Sequence, residues 1–205
     1  MNAQDFLLYC DQLVRASQTC TDRWHWVRGP KYAFICLEKT QAVRNSTQMC
    51  GAAEALPGLT ELDVADDPGL ATSREQQTER LLSLQYHVLY SESYEVPILL
   101  FNIYAEGGAR LNLEEAWNVL RIGGSVPAHE RYSAITMVHH PILFRPYLSL
   151  HPCKTAELIG SLGGSVNPVL SFLTTYGPYV NLEQEEVARV LQSNDEKETS
   201  NKCEQ

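Results

Sequence analysis

Cys153, in the stretch Tyr147-Leu-Ser-Leu-His-Pro-Cys-Lys-Thr-Ala-Glu-Leu158, is the side chain with the most chemistry open to it. Tyr147 to Leu150 are apolar and β-prone, Pro152 fixes φ and removes a backbone donor, and Thr155 to Leu158 offers a helix start. The thiol is thereby aimed out of a strand end toward a helix. First-turn amides of a helix beginning at Thr155 point back at Cys153, and their partial positive charge, with Lys154 and His151 close by, favours the thiolate. The thiolate is the nucleophilic form of the side chain, so this is a candidate reactive cysteine. The conservative reading is a structural cysteine, buried as a small hydrophobe. These residues alone leave both readings standing.

Other reactive types are fewer. His139 and His140 precede the same stretch, so a cysteine hydrolase using one of them as base is a second chemistry the residue types allow. His25, between Trp24 and Trp26, falls on the solvent face of its run by the period-two rule. The six cysteines (Cys10, Cys20, Cys36, Cys50, Cys153, Cys203) are scattered with no Cys-x-x-Cys pair, and no histidine cluster has ligand spacing. Neither a zinc site nor a disulfide framework is expected. A glycine-rich phosphate loop with its lysine and hydroxyl is also lacking, so no cofactor is expected.

Positioning such a thiol takes a sheet, and the chain supplies runs for one. Gln4 to Ala16 sets Phe6, Leu7, Tyr9, Cys10, Leu13 and Val14 on one helical face, with Asn2 as cap and Asp5 at its third position. Trp24 to Trp26 and Tyr32 to Lys39 flank Arg28-Gly29-Pro30 as a hairpin. Leu84 to Tyr90 alternates Tyr86, Val88 and Tyr90 against Gln85, His87 and Leu89, and Val96 to Tyr104 reads as a central strand with Pro97 near its start. Asn112 and Glu115 form a capping box for a short helix, and Asn167-Pro168 opens a last helix through Thr174. Ile135 to Val138 and Tyr147 to Leu150 are short β-type runs making a hairpin-like return into Cys153. The expected fold is α+β, a four-stranded antiparallel meander flanked by helices.

Charge is distributed unevenly. Residues 40–79 hold seven acids and two bases, and residues 183–205 hold seven acids and three bases, which accounts for the whole net charge of −9. Both segments are poor in aromatics, the composition of chain that buries too little apolar surface to offset its ordering entropy. The expectation is therefore a neutral body with an acidic insertion, carrying at most a short helix near Ser73 to Leu82, and an acidic C-terminal tail. Composition does not decide whether that tail folds back through Val187 to Leu191. A net negative charge argues against a nucleic-acid partner. No basic segment followed by an apolar run opens the chain and no run has membrane-spanning length, so a soluble, cytoplasmic protein with no integral membrane segment is expected.

Several blocks taken together resemble a known family: Trp24-His-Trp26, Tyr86-His-Val-Leu-Tyr-Ser-Glu-Ser-Tyr-Glu-Val-Pro-Ile98, Leu111 to Trp117, His140-Pro-Ile, His151-Pro-Cys-Lys-Thr155 and Tyr176-Gly-Pro178. In this order they are similar to the autophagy-related protein 10 family, ubiquitin-like-conjugating enzymes of autophagosome formation. The resemblance implies a ubiquitin-conjugating-enzyme-like fold over residues 1–182, with the 40–79 segment as an insertion and 183–205 as the tail. It further implies that Cys153 carries autophagy-related protein 12 as a thioester, received from autophagy-related protein 7 and passed to a lysine of autophagy-related protein 5. Ordinary ubiquitin-conjugating enzymes place an asparagine, in a His-Pro-Asn motif, ahead of the cysteine; that motif is missing here. His151, Tyr94, His140 and Asn102 are the candidates to replace it, with His151 and Tyr94 put forward as supporting residues. Two relatives remain as alternatives: a non-catalytic docking module of the same fold, and the lipid-conjugating autophagy-related protein 3. Phe6, Leu13, Trp24 and Trp26 are either interface or core.

Overall fold

The computed structural model describes residues 1–30, 32–44, 79–121, 131–150 and 167–193. Cys153, His151, the helix start at Thr155 and most of the acidic insertion lie outside these residues.

Helix α1 (Ala3–Ser17) begins where the sequence places it, because the Asn2 side chain accepts from the Asp5 amide while the Asp5 carboxylate accepts from the Asn2 amide. Its buried stripe is Phe6, Cys10, Leu13 and Ala16, at helical spacing, and Leu7, expected on that face, is instead exposed because it falls off the stripe. Strands β1 (His25–Gly29) and β2 (Tyr32–Arg44) form the expected hairpin. A β-carbon at Gly29 would meet the Tyr32 ring, so a larger residue there needs that exposed side chain to shift. Strands β3 (Glu79–Ser91) and β4 (Val96–Ala105) continue the antiparallel order. The short helix expected near Ser73 to Leu82 is corrected at its C-terminal part: residues from Glu79 onward are strand, paired with the far end of β2 through Ala42–Leu81 and Gln41–Leu82. Cross-strand pairing along β2 overrides the local helical pattern.

The four-stranded expectation is corrected too. The sheet has six strands in the order β1-β2-β3-β4-β6-β5, all neighbours antiparallel, with β5 (Ile135–His139) and β6 (Pro146–Leu150) as the added hairpin. Two demands recruit it. The amides on the outer side of β4 need partners, and β6 has residues to bury on both faces, Leu148 and Leu150 on one and Tyr147 and Ser149 on the other.

One face of the sheet carries the main core. Helices α1, α2 (Leu113–Val119) and α4 (Pro168–Tyr176) press Phe6, Leu13, Trp117 and Phe172 onto Tyr86, Phe101 and Leu148; a single turn, α3 (Arg131–Ala134), leads into β5. The capping predictions hold at Asn112 and Asn167, whose side chains accept from the Glu115 and Leu170 amides. After the 3-10 turn Gly177–Val180, residues 185–193 form a closing helix with Val187 in the core. Trp24 is fully buried and its indole N–H donates to the buried Gln184 at 2.7 Å, tying the first hairpin to the segment after Leu182. Phe6, Leu13 and Trp24 are thus core residues, and Trp26 is half-buried under the Arg28 guanidinium, 4.6 Å from its ring centroid.

The opposite face is smaller and differently built. Phe34, Cys36, Leu89, Leu100 and Tyr147 form a second cluster, flanked by Val27, Ile98, Val138 and Ile142, with no described helix in it.

Candidate active site

Strand β6 is the last described element before the His151-Pro-Cys153 segment. It lies antiparallel to β4 with Ser149 opposite Leu100 and Leu148 opposite Phe101, so continuing the register puts Leu150 level with Leu99. The chain therefore heads for the end of the sheet where the β3–β4 turn sits, about 10 Å further along β4 at the strand rise per residue. Leu150, paired with Ile135 and buried, fixes that exit three residues ahead of Cys153.

The register separates the candidates. Tyr94 is in the β3–β4 turn, 53 % exposed, at the end toward which β6 runs. Asn102 and His140 are at the opposite end of β6. Asn102 is buried and its side-chain N–H donates to the Pro146 carbonyl at 3.2 Å, where Arg110 also donates at 3.0 Å; its Oδ1 is buried with no partner among the described residues. Asn102 and His140 therefore shape the start of β6, while Tyr94 stands near its exit.

His140 is also chemically committed. Its Nδ1 accepts from the Ile142 and Leu143 amides at 3.2 and 3.1 Å, its backbone N–H donates to Arg145 and its carbonyl accepts from Phe144. Its Nε2 lies 3.1 Å from Nδ1 of His87. With both ring nitrogens engaged and the side chain fully buried, His140 is not free to act as base to a thiol. His139 sits on an exposed position of edge strand β5. Burial pushes His87 down to about 3, assisted by the His140 and His25 charges, and burial alone pushes His140 down to about 4.

His87, Tyr147 and Gln85 escaped the sequence reading. They make a connected polar set: Tyr147 Oη donates to Gln85 Oε1 at 2.8 Å, Gln85 donates to Glu38 at 2.6 Å, and the Tyr147 ring lies 5.0 Å from His87 and 5.1 Å from His140. Their signal was the alternation of β3, which puts Gln85 and His87 on one face. Polarity makes that face look solvated, yet His87 is buried because the β5–β6 turn closes over it.

The three described thiols are of the inert kind. Cys10, Cys20 and Cys36 are free and buried, and burial pushes all three up from the ordinary thiol range, Cys36 to about 12. Among the described residues no group of histidine, cysteine and carboxylate is placed to hold a metal, and no helix is long and apolar enough to cross a membrane.

The described residues form an antiparallel α+β domain whose β6 ends at Leu150, directly before the His151-Pro-Cys153 segment in the sequence. Residues 5–186 match the family described as autophagocytosis associated protein, active-site domain. The chain belongs to that family. It is 29 % identical over 203 residues to the ubiquitin-like-conjugating enzyme ATG10 of Homo sapiens, covering 86 % of this chain and 87 % of the relative. It is 34 % identical over 173 residues to the ubiquitin-like-conjugating enzyme ATG10 of Arabidopsis thaliana, covering 75 % and 76 %.

Proposed function

We propose that this chain is a ubiquitin-like-conjugating enzyme of autophagy, with a ubiquitin-conjugating-like fold and Cys153 as its nucleophile. The observation that carries the reading is the family match over residues 5–186, which contains the His-Pro-Cys segment into which β6 leads. The Cys153 thiolate attacks the glycyl carbonyl at the C-terminus of autophagy-related protein 12, presented as a thioester by autophagy-related protein 7. The new S–C bond forms as the activating enzyme's thiolate leaves. A lysine amine of autophagy-related protein 5 then attacks the same carbonyl; the isopeptide C–N bond forms, the Cys153 thiolate departs and the amine proton passes to base or water.

The second step develops an oxyanion, and a preorganised donor for such charge is worth roughly 3 to 4 kcal/mol. Tyr94, exposed near the β6 exit, is one proposed donor or positioning group. His151, two residues before the thiol, is the other.

The test is to incubate the protein with the activating enzyme, ATP and the ubiquitin-like protein. The expected result is a thiol-sensitive adduct on wild type that Cys153→Ser converts to a more stable oxyester. Absence of any adduct would refute the reading, and a folded, acceptor-binding protein without one would mark a docking module.

A further inference from the structure

The start of α1 and the second face of the sheet bound an open groove of about 790 Å³ that runs from the β3–β4 turn to the β5–β6 turn. Leu89, Ile98, Leu100 and Val138 form its apolar floor, and the exposed side chains of Leu7 and Tyr94 stand at its rim. Ser149 of β6 also lines it, only four residues before Cys153, so an occupant of this groove lies alongside the strand that delivers the thiol.

Its polar border is acidic. Glu92 lines the groove, Glu95 follows in the same turn, and Asp5 adjoins them from the first turn of α1. The Tyr90 phenol, which also lines the groove, registers all three: burial first, then Glu95, Glu92 and Asp5, push it up from its ordinary value. Tyr90 Oη donates to the Met1 carbonyl at 2.8 Å, which holds the start of α1 against this border.

That sign selects the occupant. The chain's two acidic segments outside the described residues do not suit it: residues 45–78 hold six acids and one base, and residues 194–205 hold four acids and two bases. Like charge repels both. We propose that the groove seats the acceptor protein, as an extended segment that lays apolar side chains on Leu89, Ile98 and Leu100 and turns lysine or arginine toward Glu92, Glu95 and Asp5. The proposal rests on the conjugating reading above and supplies its missing part, the surface that brings an amine to the thioester. The acidic border also suits the reaction, because an acceptor lysine approaches as an ammonium and a negative rim raises its local concentration.

The double variant Glu92→Lys with Glu95→Lys tests this in the full-length protein, both positions being exposed. Wild type and variant are first loaded by the activating enzyme, then chased with acceptor protein over a concentration series and, separately, with free lysine. Loading and free-lysine discharge should match wild type, while the acceptor concentration for half-maximal rate should rise roughly tenfold, the scale of a few reversed charge contacts. Added salt should raise that concentration for wild type and not for the variant. Leu7→Ser, on the apolar rim, should move it in the same direction, with melting temperature confirming an intact fold. An unchanged half-maximal concentration would overturn the proposal. So would a loss of loading, which would give the surface to the activating enzyme or the ubiquitin-like protein, or an equal loss with free lysine, which would place these residues in the chemistry. Failure of wild type itself to form the adduct would instead defeat the conjugating reading.

Discussion

His87 Nδ1 lies 3.1 Å from His140 Nε2, and the two backbone amides donating to His140 Nδ1 decide where each proton sits. His140 must carry its proton on Nε2 and donate it to His87, which in turn is protonated on Nε2. A second proton on His140 would face two N–H groups, and one on His87 Nδ1 would face the His140 N–H. Both rings are therefore held neutral, in a cluster packed by Phe34 and Tyr147.

The pH dependence follows from that geometry. Both histidines have folded values, about 3 and about 4, below the 6.5 of the unfolded chain. Between these limits the unfolded state binds more protons, so stability is full above pH 6.5 and falls as pH drops, by about 1.4 kcal/mol per pH unit for each histidine. Nitrogen-15 NMR should find both imidazoles as neutral Nε2–H tautomers down to about pH 5. Titration of either near 6.5 would refute the assignment.

The second expectation concerns transfer. Tyr94 is exposed near the end to which β6 leads, so Tyr94→Phe should fold and load normally. If its hydroxyl steadies the oxyanion or orients the amine, single-turnover discharge of the thioester should slow by at least about tenfold, and His151→Ala should do the same. Unchanged discharge at normal loading would remove both from the machinery.

Thiol reactivity is a third check. Cys10, Cys20 and Cys36 should stay unlabelled when the native protein is treated with iodoacetamide at neutral pH, and become labelled in denaturant, because burial raises each of them. Cys153 should label with a pKa below the roughly 8.5 of a free thiol if local positive charge activates it. Peptide mapping by mass spectrometry across pH reads both outcomes.

Local rules reached much of the fold because it is locally encoded. The caps at Asn2, Asn112 and Asn167 are each settled within four residues, and the apolar stripe of α1 and the Arg28-Gly29-Pro30 turn are short-range signals. What escaped depends on partners far along the chain. Residues 79–82 become strand because β2 extends to meet them, and β6 joins the sheet because β4 has an open edge. Within the site, the flanks of Cys153 left a reactive and a structural reading of the thiol both open, and His140 looked like a free base. Only its pairing with His87, 53 residues away, shows both nitrogens engaged.

The segment after Leu182 supplies the last prediction. Its composition is that of a solvated acidic tail, yet Gln184 and Val187 are buried, and Gln184 Oε1 accepts the Trp24 indole N–H inside the core. Gln184→Leu keeps most of the volume but orphans that buried donor, which costs roughly 1–3 kcal/mol. For a chain of this size the melting temperature should fall by about 2–4 °C per kcal/mol. Trp24→Ala, which also opens a large cavity, should cost roughly 3–5 kcal/mol. The double variant should cost clearly less than the two losses combined, since the indole can be orphaned only once. Simple additivity in a thermal or urea melt would show that the two residues stabilise the domain independently, and the link between hairpin and C-terminal segment would then be packing alone.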